Sequence, residues 1–301
     1  MNKSLYNFTQ DKLQKHRQGG RIKNTALATK LYSEHNFGHL DLSKSHLSFS
    51  LDDILALSKR IQKILNVDIR HDAYPEQQSR NINASNNRNE KINSLPVSKD
   101  FILINSLSDI KVNQTSLQLS PLTSLGIYVK ADDILSIEHK AIVFVENLAV
   151  MASLSTLNLT SIHEELVDAL WVYRGDIKKQ QSTSTAYQFF RRFNHHQRIC
   201  FSDVDPKGIE IALTSQADYW LTIKNIEDFK QVVERLEGSE EEWFKQGASI
   251  QFLQNKYIKA HSQLQHKPTW QPIFSVTSSL QKTLKQEHII THNMALTLLE
   301  L

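Results

Sequence analysis

A single cysteine, Cys200, stands in 301 residues, which excludes an internal disulfide framework and a cysteine-based zinc site. Glycine (8) and proline (6) are scarce, so collagen-like and Pro/Gly low-complexity chains are excluded. Long hydrophobic runs are missing too. The longest, Ala141-Ile142-Val143-Phe144-Val145 with its flanks, is strand-sized and far short of the roughly 18–20 residues that span a bilayer. Met1 to Lys12 carries lysines but no apolar core of the kind a secretory signal needs. The expected compartment is the reducing cytoplasm, with no membrane contact.

What is present is ordinary for a protein that buries a core. Hydrophobic residues are 40% and charged residues 22%, which excludes disorder throughout. The length suits about two domains. The net charge of +3 is unevenly spread: residues 1–70 hold twelve lysines and arginines against six acidic residues, a net +6, which leaves the rest at −3. A basic N-terminal part beside a slightly acidic remainder suits a polyanion-binding module next to a cation site.

Residues 5–17 and 22–35 read as helices around a turn, His16-Arg17-Gln18-Gly19-Gly20-Arg21, marked by its glycine pair. Residues 39–43 and 46–50 alternate apolar and polar side chains as short strands do. Asp52 reads as the N-cap of a helix whose Ile54, Leu55, Leu57, Ile61, Ile64 and Leu65 fall mostly at helical spacing. This succession over 1–70 predicts a basic, winged-helix-like α+β module, with Arg17, Arg21 and Lys23 as DNA-binding candidates. Residues 71–98 include six asparagines between 81 and 93 and read as a linker, since so polar a stretch buries too little to offset its ordering entropy.

Residues 99–137 read as a β-rich connector, with strands at Phe101–Ile104, Leu117–Leu119 and Ile127–Val129. From residue 138 to 228 strands and helices alternate: strands at 141–145, 170–173, 198–201 and 219–223, helices at 148–157, 185–193 and 206–215. That order predicts an α/β fold with a parallel sheet flanked by helices. Residues 229–301 read as a helical C-terminal region, broken near Pro268 and Pro272.

Ligands of open α/β sheets bind beyond the carboxyl ends of the strands. Glu146 follows the first strand there, and Asp203 and Asp205 follow the third, in Asp203-Val204-Asp205-Pro206-Lys207-Gly208. In extended chain, residues i and i+2 share a face, so both aspartates can meet one point. Pro206 keeps Asp205 extended and suits the first turn of the next helix, with Asp205 as its N-cap. Three carboxylates at one sheet edge repel one another, and a hard divalent cation, Mg²⁺ or Mn²⁺, relieves that repulsion. Glu146, Asp203 and Asp205 are therefore the candidate catalytic residues and metal ligands.

This pattern resembles the Toprim domain of topoisomerases, primases and related nucleases, whose signature is a glutamate after the first strand and an Asp-x-Asp after a later one. The turn Tyr173-Arg174-Gly175-Asp176 sits where Toprim domains often have a glycine. Asp-x-Asp-Pro-x-Gly-Ile is most similar to the topoisomerase VI A subunit, its meiotic break-forming relatives, and the nuclease subunit of Wadjet-type anti-plasmid systems. The resemblance covers roughly residues 125–225 and extends to the N-terminal module by analogy. It implies a Toprim catalytic domain over 138–228 and a metal-dependent DNA endonuclease. It also implies DNA as partner, a homodimer, and a place in a plasmid or phage defence or condensin-like ATPase complex.

One departure bears on the chemistry. Topoisomerase VI-like enzymes use a nucleophilic tyrosine in an Arg-rich Tyr-Tyr context, whereas residues 1–70 offer only Tyr6 and Tyr32, in unlike contexts. Hydrolysis is favoured over transesterification on that ground. The alternatives are a tyrosine transesterase and a non-catalytic DNA-binding or assembly subunit. Arg174, Lys178, Lys179 and Lys207 are expected near the same sheet edge as phosphate contacts. Arg191 and Arg192 read as a solvated face, His195-His196 as loop or cap, and Cys200 as a buried apolar side chain. Nothing in the sequence places Gln286-Glu287-His288 beside the carboxylates.

Overall fold

A computed structural model describes residues 1–78, 80–86, 93–95, 97–159, 166–176, 182–236, 240–263 and 268–301. The chain divides into two compact units, Met1–Val97 and Ser98–Leu301.

The first unit runs α1 (Lys3–Lys15), β1 (Gly19–Lys23), α2 (Ala26–His35), β2 (His39–Leu40), β3 (His46–Ser50), α3 (Leu51–Leu65) and α4 (Arg80–Asn86). Its sheet has the order β1-β3-β2, all antiparallel. The helix expected from residue 22 starts only at Ala26, because the Gly19-Gly20 pair opens a strand as well as a turn. Gly19 has φ +106°, and a Cβ there would lie 2.7 Å from the Phe49 carbonyl oxygen. Glycine therefore lets β1 approach β3 where another residue could not. Ser50, not Asp52, caps α3, through a capping box with Asp53. The apolar faces of α1, α2 and α3 close on the sheet around Leu5, Tyr6, Leu31, Phe37, Leu47 and Leu57.

The asparagine-rich stretch expected as a linker contributes structure to this unit. Asn83 of α4 is buried, Gln78 bridges Ser94, and the Asn93 amide donates to the Pro75 and Glu76 carbonyl oxygens. Side-chain amides bonded to backbone carbonyls order a segment that has little apolar surface to bury. Asn87 and Asn89 lie outside the described residues.

The second unit begins with β4 (Phe101–Asn105), the hairpin β5 (Ile110–Val112) and β6 (Thr115–Leu117), and β7 (Ile127–Lys130). It continues through β8 (Ala141–Val145), α5 (Leu148–Ala152), β9 (Ala169–Tyr173), α6 (Thr183–Arg192), β10 (Gln197–Phe201), α7 (Pro206–Ser215) and β11 (Tyr219–Ile223). It ends with α8 (Ile226–Arg235), α9 (Glu241–Phe244), α10 (Gly247–Gln263), α11 (Gln271–Leu280), α12 (Gln286–Thr291) and β12 (Leu296–Glu300). One seven-stranded mixed sheet, β12-β11-β10-β8-β9-β4-β7, organises all of it, so the fold is α/β. The four central strands, β11, β10, β8 and β9, are parallel. The connector adds β4 and β7 antiparallel at one edge, and the C-terminal region adds β12 antiparallel at the other. Regions 99–137 and 229–301 are thus parts of the same sheet as 138–228.

Every residue of β8 and β9 is buried, as strands covered on both faces must be. From β8 the chain leads out to β9 on one side, then returns across β8 to β10 on the other. That reversal makes the gap between β8 and β10 a topological switch point, where the strand ends splay and leave room for a ligand.

Candidate functional site

The carboxyl ends of β8 and β10 stand side by side, with Val145 paired to Phe201. The pairing continues one residue further: the Glu146 N–H donates to the Phe201 carbonyl oxygen at 3.0 Å. Glu146 Oε2 then accepts from the Asp203 N–H at 3.1 Å, and Oε1 lies 3.2 Å from the Arg174 guanidinium. Arg174 is brought there by β9, whose pairing with β8 runs past the strand end through its N–H to the Val145 carbonyl at 2.8 Å.

Asp205 is the N-cap of α7, with Oδ1 accepting from the Gly208 N–H at 2.8 Å and Pro206 in the first turn. Its Oδ2 accepts from Gln246 Nε2 at 2.7 Å, and Gln246 Oε1 in turn accepts from the Lys207 N–H at 2.9 Å. Gly208 is required by the close pass of α7 over the preceding turn, since a Cβ there would lie 1.9 Å from the Asp203 carbonyl oxygen.

A C-terminal segment closes the arrangement. Val204 and Leu284 exchange both backbone hydrogen bonds, at 2.8 and 3.2 Å. The Gln286 N–H donates to Asp203 Oδ1 at 2.9 Å, and Gln286 Oε1 accepts from the Asn147 N–H at 2.8 Å. Lys285, between them, places Nζ 3.3 Å from Asp203, 3.6 Å from Asp205 and 3.4 Å from Glu242.

Glu146, Asp203, Asp205, Lys207, Gln246 and Lys285 all line one pocket of about 290 Å³. Burial raises the Glu146 pKa, which Arg174 opposes and Asp205 reinforces. Burial, then Glu146 and Asp205, push Asp203 up to about 7 against the pull of Lys285. For Lys285 burial acts downward, but the three acids around it outweigh that and raise its pKa. The cluster is held by two cations, yet Glu146 and Asp203 remain harder to ionise than free carboxylates.

The donor set suits a hard divalent cation, since it offers only carboxylate oxygens. Among the described residues, however, no group of three His, Cys, Asp or Glu side chains is arranged to hold a metal ion. The Lys285 ammonium stands between the aspartates instead.

Of the other sequence candidates, Lys207 lines the pocket, and the rest of those described lie elsewhere. Arg17, Arg21 and Lys23 lie exposed in the first unit, Arg21 paired with Asp41 at 2.9 Å. Lys207 pairs with Glu210 at the pocket. Lys178 and Lys179 lie outside the described residues. Arg191 donates to the Thr214 and Ser215 carbonyls and Arg192 to those of Ala131 and Ile134, so both brace backbone. His195 is exposed, His196 Nε2 is 3.0 Å from the Ile137 carbonyl, and Cys200 is buried. Tyr6 is buried and donates to the Asp72 carbonyl, while Tyr32 is 39% exposed.

Sequence reasoning missed Lys285, Gln246 and the role of Gln286. Each reaches the acids from a segment 41 or more residues away, and no local pattern marks them. His288, two residues after Gln286, accepts from the Lys285 N–H through Nδ1 at 3.1 Å.

Fold and site together define an α/β protein with a carboxylate cluster at the switch point of its parallel strands. A family profile described as Domain of unknown function (DUF7281) matches residues 99–298, nearly all of the second unit, and the chain belongs to that family. A search of curated proteins finds no match. No helix among the described residues is long and apolar enough to cross a membrane.

Proposed function

We propose that the second unit is a Toprim-type DNA endonuclease dependent on Mg²⁺ or Mn²⁺, acting as a homodimeric subunit of a plasmid or phage defence or condensin-like complex. In this reading residues 1–70 form its winged-helix-like DNA-binding module. The observation that carries the proposal is the meeting of Glu146, Asp203 and Asp205 in one pocket at the β8/β10 switch point. The strand order β9-β8-β10-β11 supports it, because it puts the glutamate after the first parallel strand and both aspartates after the third.

Glu146, Asp203 and Asp205 would hold the cation, which when bound supplies Lewis-acid polarisation of a phosphate and a water of lowered pKa. The chain's own groups do the positioning. Gly208 and Gln246 fix the two Asp205 oxygens, and the Gln286 N–H fixes one of Asp203. Among the described residues the buried Arg174 Nε has no hydrogen-bond partner, and a phosphate oxygen would supply one. Hydrolysis is preferred to transesterification because burial pushes the Tyr6 phenol up to about 12, the reverse of what a nucleophile needs.

One observation favours a second reading, a non-catalytic DNA-binding or assembly subunit: Arg174 and Lys285 already neutralise much of the cluster. Incubation with plasmid DNA and Mn²⁺, with the partner complex present, separates these readings. The nuclease reading expects free DNA ends, cleavage lost in Asp203→Ala and kept in Tyr32→Phe. A tyrosine-linked DNA end overturns it in favour of a transesterase. Unchanged function in the Glu146, Asp203 and Asp205 triple alanine variant establishes the non-catalytic subunit. For the basic module, duplex DNA affinity falls with salt, and Arg17→Ala and Lys23→Ala each reduce the salt slope by about 1.

A further inference from the structure

We propose that Lys285 is an internal counter-ion of the Glu146–Asp203–Asp205 cluster, and that a divalent cation enters only by displacing its ammonium toward Glu242. This rests on reading the cluster as a cation site.

Three observations point to an exchange and not to a fixed brace. First, the backbone on both sides of Lys285 is pinned by hydrogen bonds, while its side chain is held through ion pairs at its tip. Leu284 is bridged to Val204, and Gln286 is bonded to Asp203 and Asn147. The Lys285 side chain is 34% exposed, whereas those of Asp203 and Asp205 are 10% and 2%. A four-carbon stem anchored at a fixed Cα can swing its ammonium without disturbing the turn that carries the acids.

Second, the displaced ammonium has somewhere to go. Glu242 Oε2 is 3.4 Å from Nζ, its side chain is 58% exposed, and it stands on α9 rather than on the strand ends. Nζ therefore sits between an inner pair of buried acids and one outer, solvated acid.

Third, the charges select exchange over co-occupation. Glu146, Asp203 and Asp205 carry −3 when ionised, and Arg174 returns one positive charge. Lys285 brings the site to −1. Counting only these buried acids, and not the solvated Glu242, a divalent cation in place of Lys285 brings the site to zero, while both together leave it at +1. Buried charge of one sign is costly, so each cation disfavours the other.

The test is Mn²⁺ binding to the full chain, read by the electron paramagnetic resonance of free Mn²⁺ and by calorimetry. Wild type, Lys285→Met, Glu242→Gln, their double variant and Asp205→Asn are compared. Lys285→Met is expected to bind Mn²⁺ about tenfold tighter than wild type, near the low end of usual couplings between sites. Its Tm is expected to be lower without Mn²⁺ and recovered with it. Glu242→Gln, on an exposed side chain that leaves folding intact, is expected to weaken Mn²⁺ binding severalfold in wild type and little when Lys285 is already methionine. If wild type binds Mn²⁺ and loses it in Asp205→Asn, but Lys285→Met binds no tighter, the exchange is wrong and the cation site stands. Failure of Lys285→Met to fold shifts the decision to Glu242→Gln, where unchanged binding overturns the proposal. If no variant binds Mn²⁺ at millimolar concentration, the cation-site reading fails and this proposal falls with it.

Discussion

The two ends of the central sheet use the same kinds of side chain to opposite effect. At the amino ends of β8 and β9, Asp168 accepts from Lys111 Nζ at 3.0 Å and Ser108 Oγ at 2.9 Å, with His139 Nδ1 3.4 Å away. The ring on the other side is satisfied as well, His139 Nε2 accepting from the Lys111 N–H at 2.9 Å. Burial acts to raise the Asp168 pKa, but its bonds to Lys111 and Ser108 outweigh burial and lower it. One acid there is matched to its donors and ties β5 to the strand ends. At the carboxyl ends three acids share two cations, and Glu146 and Asp203 are both raised. The amino-end pair holds its acid ionised, whereas at the carboxyl end burial and neighbouring acids disfavour ionisation of Glu146 and Asp203.

The largest expected difference between the two ends is in activity. Under the proposed nuclease reading, Asp205→Ala is expected to reduce Mn²⁺-dependent plasmid cleavage by about two orders of magnitude or more, since a metal-assembled site would supply several kcal/mol. Asp168→Asn, measured on folded protein in the same assay, is expected to leave the rate within about twofold of wild type, because surface-side changes away from the chemistry act through stability alone. Equal losses in both variants would erase the contrast.

Next in size is Gly208→Ala. A methyl group 1.9 Å from the Asp203 carbonyl forces the first turn of α7 off the Asp-x-Asp turn. It is expected to cost about 2–3 kcal/mol in chemical denaturation. A loss under about 0.5 kcal/mol would mean that the turn yields freely and that the carboxylate end is less rigid than its hydrogen bonds imply.

These contrasts follow the boundary of what the sequence reveals. The buried strands 141–145, 198–201 and 219–223 are readable because a strand covered on both faces must be a continuous apolar run. Glu146, Asp203 and Asp205 are readable because Glu146 directly follows one such run and the Asp-x-Asp begins two residues after another. β12 is not, since Leu296-Thr297-Leu298-Leu299-Glu300 owes its extended form to ladder bonds with β11, 73 or more residues earlier. β1 is hidden for a local reason: a glycine pair signals a turn whether or not it also admits a neighbouring strand. Lys285 is hidden for the same reason as β12. Its neighbours in sequence are unremarkable, and its meaning arises from the Val204–Leu284 bridge, a contact across 80 residues.

Asp168→Asn carries the third expectation, now on stability. Its native pKa is lowered, so Asp168 contributes stability above the ordinary carboxylate value of about 3.9 and loses it as pH falls through the native value. Replacement is expected to cost about 1–2 kcal/mol at pH 7, the scale of hydrogen bonds to a charged group reduced for partial exposure. The cost should fade toward pH 3 in urea titrations. An unchanged midpoint at pH 7 would demote the amino-end cluster to surface decoration.

Asp203→Asn is the smallest effect and the sharpest test, because its sign is reversed. Asp203 has a native pKa raised to about 7, so its favourable contribution is complete only below the unfolded value of about 3.9 and is lost as pH rises to about 7. Above that, the native state holds an ionised carboxylate beside Glu146 and Asp205 in a buried site. Asparagine keeps the size and an acceptor for the Gln286 N–H while removing that charge. The loss of attraction to Lys285 offsets part of the gain. The net expectation for metal-free protein at pH 8 is stabilisation by about 1 kcal/mol, roughly 2–4 °C in Tm. Below about pH 3.9 Asp203 is protonated in both the folded and the unfolded wild-type chain, so there the two proteins should melt close together. Saturating Mn²⁺ should reverse the order at pH 8, because wild type gains binding energy that the variant cannot. A variant less stable than wild type at pH 8 without metal would show that Lys285 fully compensates the cluster, and the two ends of the sheet would then differ in the number of acids but not in kind.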